Sequence, residues 1–321
     1  MFHHLNLANS VKREQAIKMF NSPVHTLNLL KNHSTLSVKR DDLLPFYLGG
    51  NKVRKNTFIL NSLNQKPDVI ITNGGAESNH ARVCALMASQ LGINCHLVLH
   101  GERLESAFFN GNSYFTDTTN CEVEYVSAGA IASTIARAEE FYKLQNKSVL
   151  VIPGGGHSIE GAKAYVSAVE ELESEPDFIV FASGTGATHA GILAGVKKRN
   201  WQTRVIGISI ARQAERGVEA IDELYKLLCA NESIYYDKSD ILFMDNYVFG
   251  GYGKYNTELL TFLKESVAST GVPFDPIYTG KALFGMVDLI EKRIIPEFSN
   301  VLFWHTGGLL NLQAAGIQAN D

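Results

Sequence analysis

No block of basic residues, no long apolar run and no CxxC pair occurs in this 321-residue chain. Lys plus Arg number 29 against 33 for Asp plus Glu, a formal net charge of −4. Such a balance offers nothing to a nucleic-acid backbone or an anionic membrane surface. No apolar stretch reaches the length that crosses a bilayer. The opening Met-Phe-His-His-Leu-Asn has no basic region followed by an apolar one, so it does not read as a signal peptide. The four cysteines, Cys84, Cys95, Cys121 and Cys229, read as buried thiols of a cytoplasmic protein, and no metal site is expected. Repeats, low-complexity tracts and flexible linkers are also lacking.

What is present fits a soluble globular enzyme. Hydrophobic residues make up 45 % and charged residues 19 %. The length allows two lobes with a sizeable core. Residues 1–34 are weakly patterned, with Ser10 to Phe20 reading as a short helix. Beyond residue 35 the chain alternates. Short β-rich runs occur at Leu36–Lys39, Val69–Thr72, Cys95–Leu99, Val123–Val126, Val149–Ile152, Phe178–Ala182, Val205–Ser209 and Val301–Trp304. Helix-like segments separate most of them. Apolar strands alternating with helices predict an α/β fold with parallel sheets covered on both faces.

The chemistry concentrates in a few stretches. In Gly49-Gly50-Asn51-Lys52-Val53-Arg54-Lys55, two glycines let the backbone turn and Asn51 suits a helix cap. Lys52 then falls in the first helical turn, where the helix dipole disfavours a cation and eases loss of its proton. A lysine must be neutral to attack a carbonyl. The same stretch also suits a solvated lysine beside Arg54 and Lys55. In Thr72–Arg82 a strand ends in Gly74-Gly75, and Ser78 starts a helix that runs to Leu91 and closes at Gly92. Ser78, Asn79 and His80 add donors to the amides at that helix start, which bind anions. An ordinary serine cap with Asn79 and His80 facing solvent fits too. Ile152–Gly161 is a glycine turn with Ser158 as a cap and His157 as a loop residue.

Phe181–Gly191 carries Ser183-Gly184-Thr185-Gly186-Ala187-Thr188 between a strand and a helix. Backbone amides of such a loop cradle a phosphate, with hydroxyls from Ser183, Thr185 and Thr188. It is not a dinucleotide fingerprint, because His189 stands where GxGxxG needs glycine, and no GxxxxGK[ST] match occurs. Near the C-terminus, Val248–Gly253 sets Tyr252 among glycines, Asp275–Lys281 puts Tyr278 and Thr279 in a turn before a helix, and Trp304-His305-Thr306-Gly307-Gly308 is a strand end. Packed aromatics, a turn threonine and a helix cap account for these pieces individually.

Taken in order, Lys39-Arg-Asp-Asp42 with Gly49–Lys55, then the Ser78-Asn79-His80, Gly184–Thr188, Tyr278 and His305–Gly308 stretches resemble the pyridoxal-phosphate enzymes that include D-cysteine desulfhydrase and 1-aminocyclopropane-1-carboxylate (ACC) deaminase. The resemblance extends from about Val38 to Gly308. It implies the two-lobed fold type II shared with the tryptophan synthase β-subunit. Residues 1–55 and 165–321 would then form the large cofactor-binding domain and 56–164 the small one. It implies pyridoxal 5'-phosphate as cofactor, with Lys52 as the Schiff-base lysine. Ser78 and His80 would hold the substrate carboxylate. Asn79 would bond the cofactor's phenolic oxygen. Ser183, Gly184, Thr185, Gly186, Ala187 and Thr188 would form the phosphate cup. Tyr278 would stack on the pyridine ring, with Thr306 near the ring nitrogen and Tyr252 facing the substrate. Two stretches depart from the pattern: Asn21-Ser22-Pro23-Val24, and His157, Ser158 and Glu160 after the third glycine stretch.

The expected activity is β-elimination from a small amino acid, D-cysteine giving pyruvate, sulfide and ammonia, with Lys52, Ser78, Tyr252 and Tyr278 as catalytic residues. Thr279 is expected at the substrate and is the position that separates the readings. ACC deaminases carry a glutamate there, which keeps the ring nitrogen protonated, whereas a threonine is uncharged. The alternatives are an ACC deaminase, a lyase for serine-like or sulfonated amino acids, and an idle cofactor-binding protein. A homodimer is the family expectation.

Overall fold

The structure is a computed structural model and describes residues 21–29, 35–101 and 111–314. The helix expected over Ser10–Phe20 lies outside these residues. Among the described residues, ten strands form two sheets. The strands are β1 (Val24–Thr26), β2 (Thr35–Arg40), β3 (Val69–Gly75), β4 (Asn94–His100), β5 (Cys121–Val126), β6 (Val149–Ile152), β7 (Phe178–Ser183), β8 (Arg204–Ser209), β9 (Leu242–Met244) and β10 (Asn300–His305). The larger sheet has the order β1-β2-β10-β7-β8-β9 and the smaller β5-β4-β3-β6. Every pairing is parallel except β1 with β2.

Each of the eight expected runs lies within a strand. The structure adds β1 and β9, three residues each, on the two edges of the larger sheet. Three residues are too few to show a period of two.

The helices are α1 (Asn51–Asn61), α2 (Asn79–Leu91), α3 (Ser113–Thr118), α4 (Ile131–Leu144), α5 (Ile159–Val169), α6 (Ala187–Lys198), α7 (Ala214–Glu232), α8 (Thr257–Thr270), α9 (Thr279–Glu291) and α10 (Asn311–Ala314). They cover both faces of both sheets, which explains why central strands read as unbroken apolar runs. Phe178-Ile-Val-Phe-Ala-Ser183 is buried at all six positions of β7. Its Ile179 and Phe181 pack with α5, α6 and α7, whereas Val180 and Ala182 pack with α8 and α9. Burial of a side chain the size of Ile179, Val180 or Phe181 contributes about 1.5–3 kcal/mol. In the smaller sheet, Ile70, Leu97 and Leu99 meet α1 and α2, and Val69 and Ile71 meet α4.

The lobe boundaries expected at residues 55/56 and 164/165 cut through α1 and α5. The packing places Val53, Ile59 and Leu60 of α1 in the core of the smaller sheet. Ala162, Tyr165 and Val166 of α5 belong to the core of the larger one.

A buried ionic cluster ties the lobes' covering helices to β2. Asp41 Oδ1 and Oδ2 accept from Arg54 at 2.8 and 3.0 Å, and Arg54 also donates to Glu171 at 2.5 and 2.9 Å. Lys39 pairs with Glu171 at 2.6 Å, and Ser22, Tyr165 and Trp304 donate to Asp41. The departure at Asn21–Val24 therefore serves this cluster through Ser22. Burial alone would push the Asp41 carboxyl up, but the Arg54 guanidinium and these hydrogen bonds hold it below the usual range.

Candidate active site

Strand ends and helix starts from both lobes converge on one cavity. Gly49 and Gly50 have φ of 66° and 93°. A Cβ on Gly49 would stand 2.3 Å from the Asp42 carbonyl oxygen, and one on Gly50 would stand 2.9 Å from that of Thr306. Only glycine admits this turn. The helix cap is Gly50 rather than Asn51, whose side chain makes no cap bond. Asn51 instead donates through its amide to Thr188 Oγ1 at 3.2 Å, and its backbone N–H donates to the Thr306 carbonyl at 2.9 Å.

Lys52 lies in the first turn of α1 and lines the cavity, its Nζ 3.4 Å from the Gly155 carbonyl. Burial pulls its ammonium down to about 8, against a hydrogen bond with Lys55 that acts the other way. Lys55, one turn on and fully buried, is pushed well below its usual range by burial and by the charge of Lys52. With no carboxylate among the described lining residues, the two neighbouring amines disfavour each other's charge, and Lys55 is the one driven toward neutrality.

Gly184, Thr185, Gly186 and Thr188 supply another part of the lining. The loop leaves β7 at Ser183 and enters α6 through Gly186, at φ 105°, with no side-chain cap. The first amides of α6 are thus left for an anion. A Cβ on Gly186 would meet Ile221 Cγ1 at 3.2 Å and the Ala220 carbonyl at 3.3 Å. Gly155 packs beside two lining residues: its Cβ would fall 2.9 Å from Thr185 Cγ2 and 3.4 Å from Lys52 Nζ.

Of the expected residues, Lys52, Asn79, Ser183, Gly184, Thr185, Gly186, Thr188, Tyr278 and Thr306 line this cavity together. Ser78, His80, Ala187, Tyr252 and Thr279 lie outside its lining. Ser78 caps α2, its Oγ accepting from the His80 and Ala81 amides at 3.2 Å each. His80 is buried, with Nε2 against Thr72 Oγ1 at 2.9 Å and Nδ1 against the Asn56 amide at 3.4 Å. The Thr72 hydroxyl donates to Ile152, so His80 carries its proton on Nε2. Burial and the Lys52 and Lys55 charges keep the ring neutral. Both nitrogens of this neutral imidazole are thus engaged by protein groups. Thr279 is fully buried, donating to Asp275 Oδ1 at 2.7 Å and accepting from the Asp275 N–H at 3.1 Å. Tyr252 stands beside the site, its hydroxyl 2.6 Å from that of Tyr278 and the rings nearly perpendicular at 75°.

The lining also contains residues that were not singled out. Lys55 and Arg82 join Lys52 in the lining, and no carboxylate among the described residues faces them there. Arg82 donates to Asn79 Oδ1 at 3.3 Å and Asn112 Oδ1 at 2.9 Å, leaving Nε without a partner. Because a guanidinium only donates, it turns the Asn79 amide nitrogen outward, to Asn311 Oδ1 at 3.0 Å. Both cations stand three residues after an expected site residue on the same helix, a spacing that places them on one face.

An uncapped helix start behind a glycine cradle, two neighbouring amines and, among the described residues, no lining acid suit an anionic aldehyde cofactor. Pyridoxal phosphate fits: Gly184–Thr188 and Lys55 would hold its phosphate, Tyr278 and Asn79 would flank its ring, and Lys52 would meet its carbonyl.

Comparison with known proteins agrees. A family model described as pyridoxal-phosphate dependent enzyme matches residues 17–307. The D-cysteine desulfhydrase of Klebsiella pneumoniae subsp. pneumoniae is 32 % identical over 302 residues, covering 89 % of this chain and 91 % of the relative. That of Yersinia enterocolitica serotype O:8 is 32 % identical over 304 residues, with the same coverage. A crystal structure of an ACC deaminase homologue superposes with a TM-score of 0.83 at 32 % identity, covering 92 % of this chain and 91 % of the other. The threonine deaminase isoform 2 of Solanum lycopersicum, at 14 % identity and a TM-score of 0.60, shares the fold. This chain belongs to the fold-type-II pyridoxal-phosphate dependent enzymes, in the family of D-cysteine desulfhydrase and ACC deaminase.

Proposed function

We propose that this enzyme is a lyase that converts D-cysteine and water to pyruvate, sulfide and ammonia. The observation that carries the reading is the state of the acids around the cavity. When bound, pyridoxal phosphate accepts the electron pair left on the substrate's α-carbon, more strongly if its ring nitrogen is protonated. Among the described residues no carboxylate lines the cavity to hold that proton. Asp275 lies behind Gly308, whose Cβ would stand 3.0 Å from its Oδ1. Its carboxylate is already engaged by the Ile277, Tyr278 and Thr279 amides and the Thr279 hydroxyl. A weaker electron sink suits a substrate whose own leaving group departs readily, as a thiolate does, better than a cyclopropane, which has none.

The chain's own residues supply the rest. Lys52, with its proton held loosely, is placed to take the α-proton as general base. Arg82, whose Nε has no partner, offers positive potential for a substrate carboxylate. The paired hydroxyls of Tyr252 and Tyr278 can pass a proton to a departing sulfur. Four free thiols agree with a cytoplasmic protein, and a homodimer is the working assembly we propose.

The test is keto-acid release from D-cysteine, L-cysteine, D-serine and ACC by the purified, cofactor-loaded enzyme. D-cysteine should give the highest kcat/KM, with sulfide and pyruvate in equal amounts. ACC turning over faster would overturn the reading.

A further inference from the structure

Lys281 is fully buried in the first turn of α9, three residues after Tyr278. Its ammonium donates to three carbonyls: Ile210 at 3.0 Å, Val248 at 2.8 Å and Gly251 at 2.8 Å. Three donors meet three acceptors, so the group is saturated. Ile210 directly follows β8. Val248 and Gly251 close one turn, since the Gly251 N–H also donates to the Val248 carbonyl at 2.9 Å. The next residue is Tyr252.

Besides Lys281, that segment is held by the Gly251 and Lys254 N–H bonds to Val248 and Gly251 and by the edge of Phe249 against Phe284 of α9. Phe249, Gly250, Gly251 and Gly253 have φ of 49°, 89°, 120° and 72°. A Cβ on Gly251 or Gly253 would meet nothing within 4 Å, and Tyr252 is 45 % exposed. Yet the Tyr252 hydroxyl is held 2.6 Å from that of Tyr278. Tyr278 needs no such help, because Asp275 accepts the amides of its turn. Among the described residues, Lys281 is the α9 side chain that hydrogen-bonds the backbone beside Tyr252. A packing role alone favours an apolar residue, which fills the space without the cost of burying a charge. Burial pulls this ammonium down to about 8, so its environment opposes the charge that the three carbonyls use.

We propose that Lys281 is a positioning residue that latches the Val248–Gly251 turn and thereby holds the Tyr252 hydroxyl against Tyr278. The inference rests on the reading of this cavity as the reaction site, with Tyr252 facing the substrate.

The test is a cycle of Lys281→Met, Tyr252→Phe and the double variant, measured as cofactor-loaded enzymes with D-cysteine. Thermal stability, cofactor affinity by fluorescence and hydrogen exchange of residues 248–254 are followed alongside. Lys281→Met should lower kcat by roughly ten- to a hundredfold, the scale of a displaced contact group. Cofactor affinity should hold, and exchange should quicken in residues 248–254 but not in α9. In the Tyr252→Phe background the same replacement should cost little more. Equal losses in both backgrounds would overturn the latch. A silent Tyr252→Phe would overturn it by a different route, through the reading of the site. Lys281→Gln, neutral but with two donors, repeats the cycle if the methionine variant does not fold. Failure of both to fold would assign the ammonium to fold stability and end the proposal.

Discussion

The side-chain amide of Asn51 donates to the Thr188 hydroxyl over 3.2 Å, joining the start of α1 to the end of the Gly184–Thr188 loop. The two residues are 137 positions apart. Lys52 follows Asn51, so this bond helps to fix how far the reactive amine stands from the anion cradle. The Asn51 N–H, bonded to Thr306, fixes the same helix start against β10. The glycine turn, the lysine and the phosphate loop thus form one mechanical unit, although the sequence scatters them.

Lys52 should be the residue that carries the cofactor. Purified enzyme should be yellow, and borohydride should fix the cofactor to the peptide containing Lys52. Lys52→Ala should fold and lose nearly all turnover. Burial lowers the Lys52 ammonium to about 8, so below that pH the neutral amine thins about tenfold per unit. The rate at which apoenzyme captures the cofactor covalently should therefore rise from pH 6 to 8 and level off above. A rate flat across that window would place the reactive amine elsewhere.

Gly186→Val should weaken the cofactor more than it slows the loaded enzyme. The position holds φ 105°, and the new Cβ would press on Ile221 at 3.2 Å and Ala220 at 3.3 Å. Strain of about 1–3 kcal/mol at such a backbone position opens the cradle. Titration should show at least roughly tenfold weaker affinity, with kcat at saturation changed little. Affinity equal to the parent's would give this loop another role.

Local signals were legible, and long-range ones were not. Ser78 caps α2 and Gly92 ends it at φ 62°, as their residue types imply. The buried strands stood out because two covered faces demand unbroken apolar runs. Asn51 reads as a cap, but its amide is used by Thr188 from the far side of the chain. His80 and Thr279 carry the right functional groups, yet each is bonded inward, to Thr72 and to Asp275. A residue's type gives its chemistry, and only packing decides which way it points. Arg54 shows the same limit: in the sequence it is one more cation beside two lysines, and in the fold it is the centre of a buried cluster.

Arg54→Leu should destabilise the enzyme strongly. The change leaves the Asp41 carboxylate, fully buried, and Glu171 without their shared guanidinium. Breaking a buried pair in this way costs about 3–5 kcal/mol. The melting temperature should drop by several degrees or more, and turnover should fall with it because α1 carries Lys52. A shift close to zero would mean that water reaches Asp41 and replaces the lost donors.

Thr279→Glu is the substitution that the resemblance to ACC deaminases suggests for converting one activity into the other. The structure argues that it will not do so by itself. Thr279 has no exposed surface and gives its hydroxyl proton to Asp275 Oδ1 at 2.7 Å. A glutamate there starts from the same backbone position, with its neighbour already a buried carboxylate that burial pushes upward. Two carboxylates in one dry site cannot both ionise, so one takes a proton or the turn moves. Either outcome disturbs the amides of Ile277, Tyr278 and Thr279 that Asp275 holds, and with them the Tyr278 ring. The variant should melt lower, turn over D-cysteine more slowly and leave ACC turnover near its starting level. The double variant Thr279→Glu/Asp275→Asn removes the repulsion and should recover much of the lost melting temperature. Efficient ACC turnover by the single variant would show that the side chain reaches the cavity, and that the engaged Asp275 does not decide which substrate is used.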